Sequence, residues 1–137
     1  MKVADLIQRE VLSVRPDATC VEAARIMRDE RVGSVVVVDN GQPLGIVTDR
    51  DLVIRSMASG GDPETVRIRD VMSTKPIFVS ADRDLGYALD LMKSLAVRRI
   101  PVVDDSGQLV GLVSLDDAIV RLSSELAAVS ETIQKEM

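Results

Sequence analysis

Shifted by 65 positions, the sequence lies on itself. Asp5 falls on Asp70, Val14 on Val79 and Asp17 on Asp82, while Ala23, Met27 and Val32 meet Ala88, Met92 and Val97. Val37, Val38 and Asp39 meet Val102, Val103 and Asp104. The offset then becomes 66, because DDSGQ carries one residue more than DNGQ. Beyond that turn Gly41, Gln42 and Gly45 meet Gly107, Gln108 and Gly111, and Val47, Asp51 and Arg55 meet Val113, Asp117 and Arg121. A single indel in a turn is where a repeat tolerates one. Such a repeat restricts the fold strongly, since whatever one copy forms the other forms too. The copies run from about residue 3 to 55 and from about 68 to 121, joined by the connector-like SMASGGDPETV. By segments, the expected organisation is a first unit 1–58, a connector 59–66, a second unit 67–123 and a C-terminal helical extension 124–137. Units of roughly fifty residues bury little surface alone. The two are therefore expected to pack face to face and share a core.

Within each unit the pattern reads strand, helix, strand, turn, strand, helix, an α/β (α+β) arrangement. VLSV (11–14) and PIFV (76–79) are short strands. Thr19 followed by Glu22 predicts a capped helix start, with Val21, Ala24, Met27 and Arg28 at helical spacing; the partner helix starts near Asp82 or Asp84. SVVVVD (34–39) and RIPVVD (99–104) are β-branched runs of the kind found in strands buried on both faces. Asn40-Gly41 and Ser106-Gly107 signal turns into LGIV (44–47) and VGLV (110–113). Closing helices are expected from about Asp49 and Leu115.

Composition excludes more than it includes. There is no His, so the residue most used for proton transfer near neutral pH is missing. Cys20 stands alone, which rules out an intrachain disulfide or a Cys-based zinc site, and it reads as a small core residue. With 17 basic and 22 acidic residues the net charge is −5, and one Tyr and one Phe leave almost nothing to stack on bases, so nucleic-acid binding is not expected. No apolar run approaches the roughly 20 residues of a membrane span. The expectation is a cytoplasmic protein that is not an enzyme, having no Ser or Thr with an evident neighbouring base.

The doubled unit, the Val97–Asp104 strand ending in Pro-Val-Val-Asp, and the endings GIVTDRD and GLVSLDD together resemble a tandem cystathionine-β-synthase (CBS) domain pair, over about residues 3–123. The resemblance implies two βαββα units packed through their sheets as a pseudo-twofold pair, with clefts between them for adenosyl ligands such as AMP, ADP or ATP. It implies a regulatory, energy-sensing role rather than catalysis, and commonly a homodimer.

The residues themselves support that chemistry. Thr48-x-x-Asp51 and Ser114-x-x-Asp117 each sit where a strand turns into a helix. The helix N-terminus offers unpaired N–H groups to phosphate, the hydroxyl donates to a phosphate oxygen, and the carboxylate accepts from both hydroxyls of a ribose. The same spacing is a helix capping box, and both readings stand together. Gly45 and Gly111 let the chain pass close to its neighbour.

Carried over by position, the resemblance implies one cleft of Ser114, Asp117, Arg98 and Arg99 with Ile7, Leu12 and Val32. The other comprises Thr48, Asp51, Gly33 and Ser34 with Met72, Ile77 and Val97. Arg98 and Arg99 either meet phosphate or form ordinary ion pairs. Gly33-Ser34 replaces that arginine pair in the first copy, which ranks the Ser114–Asp117 cleft as the tighter one. Arg50 reaches phosphate or pairs with Asp49 or Asp51. Asp116-Asp117 is a weak metal signal; a Mg²⁺ carried in by the nucleotide is the more plausible route, and no cofactor is otherwise required.

Ile119, Leu122, Leu126, Val129 and Ile133 form an a/d stripe along the tail. The stripe is expected to pack on the body or on a second chain. A regulatory adenosyl-binding module is thus the leading expectation, acting on an unidentified partner. Its alternative is a ligand-free interaction module that dimerises and binds a partner protein through its helices.

Overall fold

The structure is a computed structural model and describes residues 1–8, 10–73 and 78–136. Its elements follow the repeat. The first unit holds β1 (Ser13–Val14), α1 (Cys20–Glu30), β2 (Ser34–Asp39), β3 (Gln42–Thr48) and α2 (Asp49–Asp51), which continues as π-helical turns over Leu52–Met57. The second holds β4 (Val79–Ser80), α3 (Leu85–Leu95), β5 (Arg99–Val103), β6 (Leu109–Ser114) and α4 (Leu115–Glu136). Each unit makes a three-stranded sheet, β1-β2-β3 and β4-β5-β6, with the first pair parallel and the second antiparallel. The fold is the α/β pair of three-stranded units that the repeat implied.

Local chemistry sets the boundaries. Thr19 Oγ1 accepts from the Glu22 amide and Glu22 Oε2 accepts from the Thr19 amide, both at 3.2 Å, so the capping box starts α1 as expected. Asp84 is the N-cap of α3 but makes no side-chain cap bond. Both helices end on a left-handed residue, Arg31 (φ 56°) and Ala96 (φ 54°). The β2–β3 turn uses positive φ at Asn40 and Gly41, as a tight hairpin turn requires. In the longer β5–β6 turn, Asp104 Oδ1 accepts from the amides of Ser106 and Gln108 at 2.9 and 3.0 Å. The two outer strands are shorter than their sequence runs: VLSV contributes only Ser13 and Val14, and PIFV only Val79, its Pro76 and Ile77 lying outside the described residues.

The core departs from the shared one expected. Among the described residues there are two clusters, one behind each sheet. Val14, Cys20, Ala23, Met27, Val35, Val37, Val47 and Leu52 form the first together with Ile68 and Val71. Val79, Leu85, Ala88, Met92, Ile100, Val102, Val113 and Ala118 form the second together with Val3. Each cluster is therefore completed by the segment that opens the other repeat. Val3 and Ala4 donate to Arg83 and Ala81 carbonyls at 2.8 and 3.0 Å, and Ile68 and Arg69 donate to Ala18 and Pro16 at 2.8 and 3.0 Å. The exchange continues onto the sheets, where Gln8 bridges Leu112 of β6 and Ser73 bridges Ile46 of β3. These are the same contact twice, one repeat apart.

Glycine makes the close approach possible. A Cβ at Gly111 would lie 1.9 Å from Ile7 Cγ2 and 2.7 Å from the Gln8 carbonyl oxygen, and one at Gly45 would lie 2.3 Å from the Ser73 carbonyl oxygen. The connector is held as well, since the Cys20 and Val21 amides donate to Val66 and Pro63 at 3.0 Å each.

The tail runs on from β6 without a break at residue 123. Beyond Ala118 every described residue of α4 is exposed, and its apolar stripe is 40–70% accessible from Leu122 to Leu126. Packing of the stripe on the body, one of the two expectations, does not occur. No helix among the described residues is long and apolar enough to cross a membrane.

Candidate functional site

A cavity of about 460 Å³ opens between the units. One wall is Leu12, Val32, Gly33, Ser34, Val36, Ile46 and Thr48 from the first unit, and the other is Val97, Arg98, Arg99 and Leu112 from the second. Gln8, Glu10 and Val11 of the crossing opening segment line it too. Val36 is buried yet belongs to neither core cluster, because alternation along β2 turns Val35 and Val37 toward α1 and Val36 toward this space.

The structure redistributes the expected site residues. Leu12, Val32, Arg98 and Arg99 from one expected cleft share this cavity with Gly33, Ser34, Thr48 and Val97 from the other. Ile7, Met72, Asp51, Ser114 and Asp117 do not line it. Ile77 lies outside the described residues. Gln8, Glu10, Val11, Val35, Val36, Ile46 and Leu112 were not singled out as site residues from sequence. For Gln8 a signal existed, since it occupies the repeat position of Ser73, next to the carried-over Ile7 and Met72.

The two S/T-x-x-D motifs differ. Thr48 and Asp51 form a closed box: Thr48 Oγ1 accepts from the Asp51 amide at 3.1 Å, and Asp51 Oδ2 accepts from the Thr48 amide at 2.9 Å. The Arg55 guanidinium stands 3.8 Å from the other oxygen, Oδ1. Arg55 also donates to the carbonyls of Val71 and Met72, tying Asp51 to the exchanged segment. Ser114 makes only half of the box, with Oγ accepting from the Asp117 amide at 3.1 Å. The Asp117 carboxylate instead receives the Gln8 side-chain amide on Oδ2 at 2.6 Å. It is thus one hydrogen bond from the cavity wall, and its role is not spent on the helix.

Charge is also unequal. Arg98 donates to the Asp116 carboxylate, the ordinary ion pair foreseen as one option, whereas Arg99 forms no ion pair among the described residues. Where the second unit has Arg98, the first has Gly33, and the Asp49 carboxylate lies 3.4 Å from the place a Cβ would take there. The Gly33 edge thus carries a carboxylate, and the Arg98–Arg99 edge carries two guanidinium groups, one of them paired with Asp116. Arg50 makes no ion pair among the described residues and bonds Asp49 through its amide alone. No group of three metal-ligating side chains gathers among the described residues. Cys20 is buried, and desolvation, with a smaller push from Asp70, holds its thiol above the ordinary range.

Comparison with known proteins agrees with this architecture. The family profile described as the CBS domain matches residues 3–57 and 68–124. The chain belongs to the CBS-domain family. The CBS domain-containing protein YhcV of Bacillus subtilis is 38% identical over 126 residues, covering 91% of this chain and 89% of YhcV. The cytosolic domain of the Mg²⁺ channel MgtE in complex with ATP is 30% identical with a TM-score of 0.75, over 86% of this chain and 47% of that one. The CBS domain pair of protein MJ0100 in complex with 5′-methylthioadenosine and S-adenosyl-L-methionine is 25% identical with a TM-score of 0.75, over 91% of this chain and 97% of that one. CBS pairs of this kind are typically regulatory rather than catalytic.

Proposed function

We propose that this CBS pair is a regulatory module that binds an adenosyl ligand between its two units and reports occupancy to a partner. The observation that carries the reading is the cavity itself. Its walls are aliphatic, suited to a flat base, and its second-unit edge carries Arg98 and Arg99, suited to a phosphate chain. Asp117 lies beside it with a carboxylate that the helix does not use. The ligands bound by MgtE and MJ0100 are of this chemical class. A Mg²⁺ would enter only with the ligand's phosphates. A molecule touching both walls favours one relative placement of the units, which is the physical basis of a signal.

Thermal unfolding with AMP, ATP, GTP and S-adenosylmethionine tests the reading. At a ligand concentration one hundred times the dissociation constant, linkage gives about 2.7 kcal/mol of stabilisation. A shift with adenine compounds and none with GTP supports the reading, and no shift with any of them removes it.

A second reading has its own observation, the uncovered stripe Ile119, Leu122, Leu126, Val129 and Ile133 on α4. In this reading the protein is an interaction module whose helices associate with a second copy in an isologous homodimer and then with a partner protein. A ligand-insensitive melting temperature together with a concentration-dependent one favours it.

A further inference from the structure

We infer that a groove on the first unit receives the apolar stripe of α4 from a second copy of this chain, and that the exchange is reciprocal. The inference rests on the second reading above, in which the chain associates with itself, and it names the two surfaces that meet. The groove has a volume of about 350 Å³ and lies between α1, the π-helical turns that follow α2 and the connector. Val21, Ala24, Leu52, Met57 and Pro63 make it apolar. Val53, Ile54 and Met57 of the π-helical turns are half or more exposed, so the apolar surface runs on beyond the groove, as at an interaction site.

The repeat shows how one stretch of sequence comes to present different surfaces. The Ala58 amide donates to the Val53 carbonyl at 2.8 Å, five residues back, and these wider turns change which residues face inward. Ser56 is buried there, whereas Leu122, at the same repeat position in regular helix, is 40% exposed. The closing helical stretch thus borders a groove in the first unit and carries a stripe in the second. In its own chain α4 does not cover the groove. It is one helix of 22 residues continuing from β6, and its described residues beyond Ala118 are exposed.

Charge selects the pairing. Arg25 and Arg28 line the groove; Arg28 is held by Asp29 at 2.8 Å, and Arg25 forms no ion pair among the described residues. Beyond Leu122, α4 carries Glu125, Glu131 and Glu136 against Lys135 alone. Groove on groove would set arginine against arginine, and stripe on stripe would set acid against acid. Groove on stripe sets Arg25 against an acidic helix, the complementary arrangement. Under a twofold axis this contact is made twice, which closes the dimer.

Two full-length variants test the exchange by sedimentation velocity, with native mass spectrometry to tell mixed dimers from like ones. Ala24→Glu places a carboxylate in the groove and leaves the stripe intact. Leu126→Gln/Val129→Gln removes the apolar contact and leaves the groove intact. All three positions are exposed in the single chain and take good helix formers, so both variants keep the fold, which circular dichroism checks. Each variant alone is expected to dimerise about tenfold or more weakly than wild type. An equimolar mixture is expected to form mixed dimers more tightly than either variant pairs with itself, because one intact groove then meets one intact stripe. If Ala24→Glu dimerises as wild type does, the stripe pairs elsewhere and the exchange is overturned while self-association stands. A mixture that associates no better than its components overturns it as well. If wild type is monomeric at tens of micromolar, self-association itself falls and the exchange falls with it.

Discussion

Replacing Gly111 with alanine tests whether the opening segment of the chain lies across the second unit. The new methyl would occupy space 1.9 Å from Ile7 Cγ2 and 2.7 Å from the Gln8 carbonyl. Neither neighbour yields easily, because Ile7 is β-branched and stiff and Gln8 is anchored by two backbone bonds to Leu112. If the segment shifts and stays, the cost is that of overpacking, about 1–3 kcal/mol. If it peels away, the two Gln8–Leu112 bonds go, at about 1 kcal/mol each, together with part of the burial of Val3, about 1.5–3 kcal/mol at most. The chain takes the cheaper route, so the expected loss is about 1–3 kcal/mol. Urea unfolding measures it as a fall in midpoint at nearly constant slope. Gly86→Ala is the internal control: it lies in α3 with no atom within 4 Å of its Cβ position, and alanine there is expected to be neutral or to stabilise by up to about 1 kcal/mol. A Gly111→Ala midpoint equal to wild type would refute the exchange of opening segments in solution.

Asp117→Ala is expected to weaken adenine-nucleotide binding in calorimetry more than Asp51→Ala does, whereas Asp51→Ala loses more stability, about 1 kcal/mol, because it breaks the half of the capping box that Asp117 does not make. Arg99→Ala, which breaks no ion pair among the described residues, is expected to weaken ATP more than adenosine; equal loss for both would remove the phosphate role. Truncation after Ser124 is expected to lower the association constant in sedimentation equilibrium, and an unchanged constant would show that Leu126, Val129 and Ile133 take no part in assembly. Cys20 is expected to react with a thiol reagent only as fast as the protein opens. Because its folded-state pKa is raised, its contribution is complete below the unfolded thiol pKa of about 8.5 and is lost as pH rises beyond it, a decline that Cys20→Ala should flatten.

Local elements were the most legible part of the sequence. The capping box at Thr19, the Asn40-Gly41 turn and the strand Ser34–Asp39 each rest on chemistry contained within a few residues. The need for glycine at positions 45 and 111 was legible as well, as an anonymous close approach. Which segment approaches was not. In a repeated sequence Val3 and Ile68 are equivalent, so a pattern that suits packing within a unit suits packing across units equally well. The inequality of Thr48–Asp51 and Ser114–Asp117 was hidden for a related reason. The motifs read alike, and what separates them is Gln8, 109 positions from the aspartate it binds. The gathering of residues from two expected clefts into one cavity likewise depends on how the sheets meet, which no local pattern encodes.

The exchange of opening segments also dictates an order of events during synthesis. The first cluster lacks Ile68 and Val71 until that stretch has been made, so just over half of the chain must emerge before the leading unit can close. The first residues wait longer still, since the partners of Val3 and Gln8 include Val113 and Leu112 near the far end. Closing so large a loop costs entropy that local contacts cannot recover early, so the final folding step comes late and joins both halves at once. A chain cut between the repeats therefore yields two incomplete pieces, each carrying the strap that its counterpart needs, and folding is expected to return only when the two are mixed.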